Sequence, residues 1–145
     1  MASPRLLRYR QSRPGALYIL TTVTHDRRRL FDNPRNAEKV IDALRHVERS
    51  GRSHSLAWVI MPDHVHWLME LRSGSLATCM NIFKSISSRK PGAGKAWQMG
   101  YHDHALRRDE SIEQAARYIV GNPIRAGLAE YVGEYPHAWC RWDVT

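Results

Sequence analysis

Two runs rich in β-branched, aromatic and apolar residues, SLAWVIM at 55–61 and HVHWLMEL at 64–71, are separated by Pro62 and Asp63 alone. Two residues leave no room for a crossover helix, so the runs must fold back on each other as an antiparallel hairpin. The linking residues suit that turn, because proline presets φ and aspartate bonds to its own backbone. The spacing predicts a hairpin at the centre of a sheet, and the other segments must build around it.

ALYILTTV at 16–23 has the composition of a first strand. A helix follows, with Asn33 as cap, Pro34 at its first position and Ala37, Val40, Ile41, Leu44 and Val47 at helical spacing until Gly51. After the hairpin, Ser75 caps a second helix carrying Leu76, Met80, Phe83 and Ile86 and running to about Arg89. SSRKPGAGK at 87–95 is a basic loop, and WQMGYHDHALR at 97–107 is a fourth strand or an extended segment. Ser111 and Gln114 fit a capping box for a third helix with the stripe Ile112, Ala115, Ala116, Ile119 and Val120, ended by Pro123. The order βαββαβ predicts an α+β, ferredoxin-like (RRM-like) antiparallel sheet with an additional C-terminal helix. At 145 residues the whole chain, 1–145, reads as a single domain. Residues 1–15 form a basic arm, and 129–145 form an irregular tail.

Lysine and arginine total 22 against 14 acidic residues, a net charge of +8, and eighteen of the cations are arginine. The planar guanidinium fork binds phosphate bidentately and stacks on bases, so a polyanion is the expected partner. Residues 1–29 carry Arg5, Arg8, Arg10, Arg13, Arg27, Arg28 and Arg29 against Asp26 alone, and supply most of that charge. A plain solubilising arm has the same composition. No apolar run approaches the roughly 20 residues that span a bilayer, and MASPRLLRYRQSRPG lacks a signal-peptide apolar region. The expectation is a cytoplasmic protein with no membrane partner. Cys79 and Cys140 are too few for a disulfide framework and read as packing residues.

His64 and His66 flank Val65 on a strand, so they share one face about 7 Å apart at Cα, close enough for both imidazoles to hold one ion. Strand histidines are also often structural, and the pair alone leaves both readings open. Asp63 beside them favours the metal, because a carboxylate can orient an imidazole from behind. Tyr118 and Asn122, four residues apart, share a face of the third helix, away from the centre of its apolar stripe. An amide oxygen suits Mg²⁺ or Mn²⁺ as a third ligand, with the tyrosine held beside the ion. Spacing alone favours the plainer reading, in which Tyr118 packs at a rim and Asn122 caps the helix before Pro123.

MPDHVHWLMEL (61–71), WQMGYHDHALR (97–107) and RYIVGNPIRAGL (117–128) together resemble the REP-associated tyrosine transposases, relatives of the single-tyrosine HUH transposases. The likeness runs from LYILTTVTHDRRRLF (17–31) to EYPHAW (134–139), although the two tryptophans and the cysteine of the tail depart from the family pattern. The resemblance implies that His64, His66 and Asn122 ligate a divalent ion, Mg²⁺ or Mn²⁺, and that Tyr118 is the nucleophile. It further implies cleavage and strand transfer of single-stranded DNA carrying a REP-type hairpin, through a 5′-phosphotyrosine. The resemblance implies a monomer, as expected of the REP-associated branch, with a dimer sharing sites, as in relatives with mobile elements, as the alternative. Arg5, Arg8, Arg10 and Arg13 would follow the phosphate backbone, with Arg27, Arg28 and Arg29 as a second contact. Trp97, Tyr101 and Trp139 are candidates for stacking on bases, although each reads more readily as core.

Two other classes fit parts of the pattern. A metallohydrolase could use His64, His66, His102 and His104 without a covalent intermediate. A non-catalytic nucleic-acid-binding module of RRM-like topology is the other, although YILTTV lacks the paired aromatics of RNA-binding strands. The role of His102, Asp103 and His104 is left open by the sequence.

Overall fold

The computed structural model describes residues 12–88 and 95–144. Arg5, Arg8 and Arg10 and most of the 87–95 loop lie outside the described residues. Strand β1, Leu17–Val23, leads through two short 3-10 turns, His25–Arg27 and Leu30–Asp32, into helix α1, Pro34–Arg49. The hairpin follows as β2, Ser53–Met61, and β3, His64–Leu71, then helix α2, Leu76–Ser87. A short β4, His102–Ala105, precedes helix α3, Ile112–Val120, a single turn α4, Asn122–Arg125, and β5, Ala138–Cys140. The caps are those the sequence predicts: Asn33 accepts from Arg35 N–H, Ser75 from Thr78 N–H and Ser111 from Gln114 N–H.

The five strands form one sheet in the order β4-β1-β3-β2-β5, with every neighbouring pair antiparallel. Met61 pairs with His64 across the Pro62–Asp63 turn, which makes β3 the central strand. Strand alternation then sorts the side chains into two layers. Tyr18, Leu20, Trp58, Ile60, Val65, Trp67, Met69 and Leu71 face α1 and α2, where Val40, Leu44, Val47, Met80 and Phe83 complete a dry core. The opposite face presents Ala57, Val59, Met61 and Leu68 to Ala116, Ile119 and Val120 of α3. His64 and His66 alternate with Val65 and Trp67, so they lie on the α3 side of the sheet.

Two expectations change, and one alternative closes. The fourth strand is only His102–Ala105, and Trp97 contributes one isolated bridge to Thr24. Trp97 is a core residue, the reading its sequence favoured, and not a stacking platform: it is 6% exposed, packs against Phe31 and Phe83, and donates from Nε1 to Ser87 Oγ. The tail is not irregular throughout, because Ala138–Cys140 pairs with β2. Trp139 stacks on Trp58 at 5.9 Å, Tyr135 Oη donates to the Ile60 carbonyl at 2.7 Å, and Arg141 Nε donates to the Ser55 carbonyl at 2.8 Å. Among the described residues no helix is long and apolar enough to cross a membrane.

Candidate active site

The hairpin turn sets the first half of the site. Asp63 sits in the turn and His64 opens β3, with His64 Nδ1 and Asp63 Oδ1 2.7 Å apart. The other carboxylate oxygen, Oδ2, accepts from Arg27 Nε at 3.2 Å. Partial burial alone would raise the Asp63 carboxyl, but the hydrogen bond and charge of His64, together with Arg27, outweigh it and hold it below the usual carboxylate value. Arg27 reaches Asp63 from an unusual backbone: Asp26 and Arg27 have φ of 57° and 50°. Two consecutive non-glycine residues in the left-handed region cost roughly 1–3 kcal/mol each, so the surrounding structure must hold them there.

His66, one pleat along, places Nδ1 2.9 Å from the hydroxyl of Thr21, its register partner on β1. The two imidazoles stand edge to face with ring centroids 4.9 Å apart. Each ring therefore commits Nδ1 to a fixed neighbour and has Nε2 left for a ligand, the arrangement that orients metal-binding histidines. Burial chiefly, then the charges of His64 and Arg125, lowers His66 to a pKa of about 4, so it is neutral and able to ligate near pH 7.

Helix α3 brings the second half. Ala116, Ile119 and Val120 are buried on the histidine face of the sheet, while Tyr118, on the outer side of the helix, is 59% exposed. Gly121 caps α3, donating to the Arg117 carbonyl, and Pro123, which has no N–H to give, sits in the first turn of α4, so side chains take up the Tyr118 and Ile119 carbonyls at the junction. Asn122 Nδ2 donates to the Tyr118 and Ile119 carbonyls at 3.4 Å each, which turns Oδ1 away from the helix end. Arg125 folds back over the same corner, with its guanidinium carbon 4.0 Å from the Tyr118 ring centroid and Nη2 donating to the Tyr118 carbonyl.

The remaining sequence candidates separate. Arg13 is exposed, and its backbone N–H donates to Tyr18 Oη at 2.9 Å. Arg27, Arg28 and Arg29 are not one outward patch: Arg27 holds Asp63, Arg28 donates to the His25 and Lys95 carbonyls, and Arg29 pairs with Asp32 at 2.8 Å. His102 shares a row with Thr21 and His66, but two strand spacings, about 10 Å, separate it from His66. His104 is 3.0 Å from Glu110. Among the described residues no three His, Cys, Asp or Glu side chains assemble to hold a metal, so the four-histidine site does not form. The amide oxygen of Asn122 is of the chemistry that could join His64 and His66 around a hard divalent ion. Thr21 and Arg125 were not singled out from the sequence. Thr21 could have been found as the polar residue on the same face of β1 as Ile19 and Val23.

A family model described as "Transposase IS200 like" matches residues 14–122. The chain belongs to the IS200-like transposase family. The matched stretch ends at Asn122, so it takes in both histidines and Tyr118 and stops before Arg125 and β5. A REP-associated tyrosine transposase of Escherichia coli K12 is 27% identical over 108 residues, covering 70% of this chain and 66%, just under two thirds, of the relative. A solved structure described as a REP-associated tyrosine transposase bound to a REP hairpin superposes with a TM-score of 0.78 at 22% identity. That match covers 100% of this chain and 94% of the other, and it supports the α+β fold.

Proposed function

We propose that this chain is a divalent-metal-dependent nuclease and strand transferase that acts on single-stranded DNA at REP-type hairpins through a 5′-phosphotyrosine at Tyr118. The observation that carries this reading is the convergence on one sheet face: two imidazoles, each held at Nδ1, and the helix that bears an exposed tyrosine. On this reading the βαββαβ run is a ferredoxin-like core within a single domain, and α3 is the added helix that delivers the nucleophile. The hairpin partner is carried over from the relative solved with one. The protein would act as a monomer, in the cytoplasm.

The donor set fits a hard divalent ion. His64 Nε2, His66 Nε2 and Asn122 Oδ1 would hold Mg²⁺ or Mn²⁺, which supplies polarisation of the scissile phosphate. The rest of the chemistry belongs to the chain. Tyr118 Oη attacks phosphorus, the P–O3′ bond breaks, and the phenol proton is lost to solvent while the departing 3′ oxygen takes one up. Asp63 and Thr21 keep the imidazoles in the tautomer that leaves Nε2 unprotonated. The exchange of one phosphodiester for another conserves the bond energy, so a 3′-hydroxyl can later attack the phosphotyrosine and rejoin strands without a nucleotide cofactor.

The test mixes end-labelled single-stranded hairpin DNA with the protein and Mg²⁺ or Mn²⁺ and looks for an SDS-resistant adduct. The expected adduct requires the metal and is absent with Tyr118→Phe, which still binds DNA. Cleavage that survives in Tyr118→Phe would overturn the tyrosine reading in favour of direct hydrolysis.

A further inference from the structure

Arg125 lies beyond the family match yet is built into the corner that holds Tyr118. Three observations fix it there. Its guanidinium carbon is 4.0 Å from the Tyr118 ring centroid, and Nη2 donates to the carbonyl of the same residue. The space it occupies depends on Gly121, where a Cβ would come 2.9 Å from the Arg117 carbonyl oxygen and 3.0 Å from Arg125 Nη1. The guanidinium therefore lies against the ring of the proposed nucleophile, beside the place a phosphate must occupy if Tyr118 is to attack it.

We propose that Arg125 is a further catalytic residue of this site: its guanidinium, stacked on Tyr118 in the free protein, donates N–H bonds to the non-bridging oxygens of the scissile phosphate and stays with them on the phosphotyrosine. This rests on the tyrosine reaction proposed above. No proton moves through Arg125; it neutralises charge that grows on the phosphoryl oxygens while the P–Oη bond forms and the P–O3′ bond breaks. The planar fork serves both tasks, stacking on the ring and gripping two oxygens, and lysine can do neither in the same way. Arg125 also differs from a backbone contact of the basic arm, because its reach is set by the residue that becomes phosphorylated.

The experiment compares single-turnover adduct formation, and separately metal-free binding of the hairpin, for the parent, Arg125→Ala and Arg125→Lys. Arg125→Ala is expected to slow adduct formation about 10²-fold with the DNA Kd changed by less than about threefold, and Arg125→Lys to remain at least about tenfold slow. A second readout needs no turnover: in NMR spectra the Arg125 δ-protons are shifted upfield by the Tyr118 ring, and Tyr118→Ala abolishes the shift. An Arg125→Ala rate within about threefold of the parent, or a Kd that weakens as much as the rate, overturns the proposal. Absence of the ring-current shift overturns it as well. If the parent shows that shift but forms no adduct on any hairpin, the tyrosine reaction fails and takes this role with it; a failure confined to the Arg125 variants leaves that reaction standing.

Discussion

Asp63 uses its two oxygens on two different groups, His64 on one side and Arg27 on the other. Removing the carboxylate frees the His64 ring to turn and to hold its proton on either nitrogen. Asp63→Ala is expected to weaken Mn²⁺ binding about 10–100-fold, and Asp63→Asn, which can still accept from Nδ1, to lose less; titration calorimetry would show both. His66 carries a separate consequence for stability. Its pKa of about 4 lies below the unfolded value near 6.5, so between those values the unfolded chain binds the proton and the folded one does not. Stability of the metal-free protein therefore falls as pH drops from about 6.5 to about 4, by at most about 3 kcal/mol from this residue. Denaturant unfolding over that range should show the slope, and His66→Gln should remove this part of it.

At the scale of elements, α3 matters because one buried edge sets where Tyr118 stands. Ile119 is fully buried against the sheet, and its neighbour in sequence is the proposed nucleophile. Ile119→Ala is expected to cost about 2–4 kcal/mol in urea unfolding and to reduce adduct formation more than DNA binding, because it loosens the seat of the helix and leaves the basic residues in place. The long elements were legible in the sequence because each carries two agreeing signals. α1, α2 and α3 have a polar cap and an apolar stripe, and the hairpin has two apolar runs and a turn of fixed length. β5 had neither. Three residues are too few to show a period of two, and Ala138–Cys140 is a strand because of remote partners, the Trp58 ring and the edge of β2. β4 is equally short, and polar His102, Asp103 and His104 mask its place at the opposite edge. The site divides in the same way. His64, His66 and Asp63 are adjacent in sequence and were visible there. Thr21 and Arg27 meet them only through the β1–β3 pairing and the turn that follows β1, contacts of 45 and 36 residues' separation.

At the scale of the molecule, the two faces of the sheet have different tasks. One face is closed by α1 and α2 into a core rich in aromatic residues, and the other is only partly closed by α3, which leaves the histidines at its margin. The charge is divided along the chain as well: of the arginines before residue 30, Arg27, Arg28 and Arg29 are engaged within the structure. Arg5, Arg8, Arg10 and Arg13 are then the cations of this segment assigned to DNA by sequence alone, the first three of them within residues 1–11. A polyanion bound by such an arm releases counterions, and each phosphate contact to a single strand contributes about 0.7 to the slope of log Kd against log salt concentration. Deleting residues 1–11 is expected to make that slope shallower by about 2, measured by fluorescence anisotropy on the hairpin across a salt series. The chemistry lies elsewhere, so adduct formation at saturating DNA should stay within about twofold of the full chain. An unchanged slope would remove residues 1–11 from the interface and leave the salt dependence to the cations that follow them in the chain. A steep loss of adduct at saturating DNA would instead tie the arm to positioning of the strand over Tyr118.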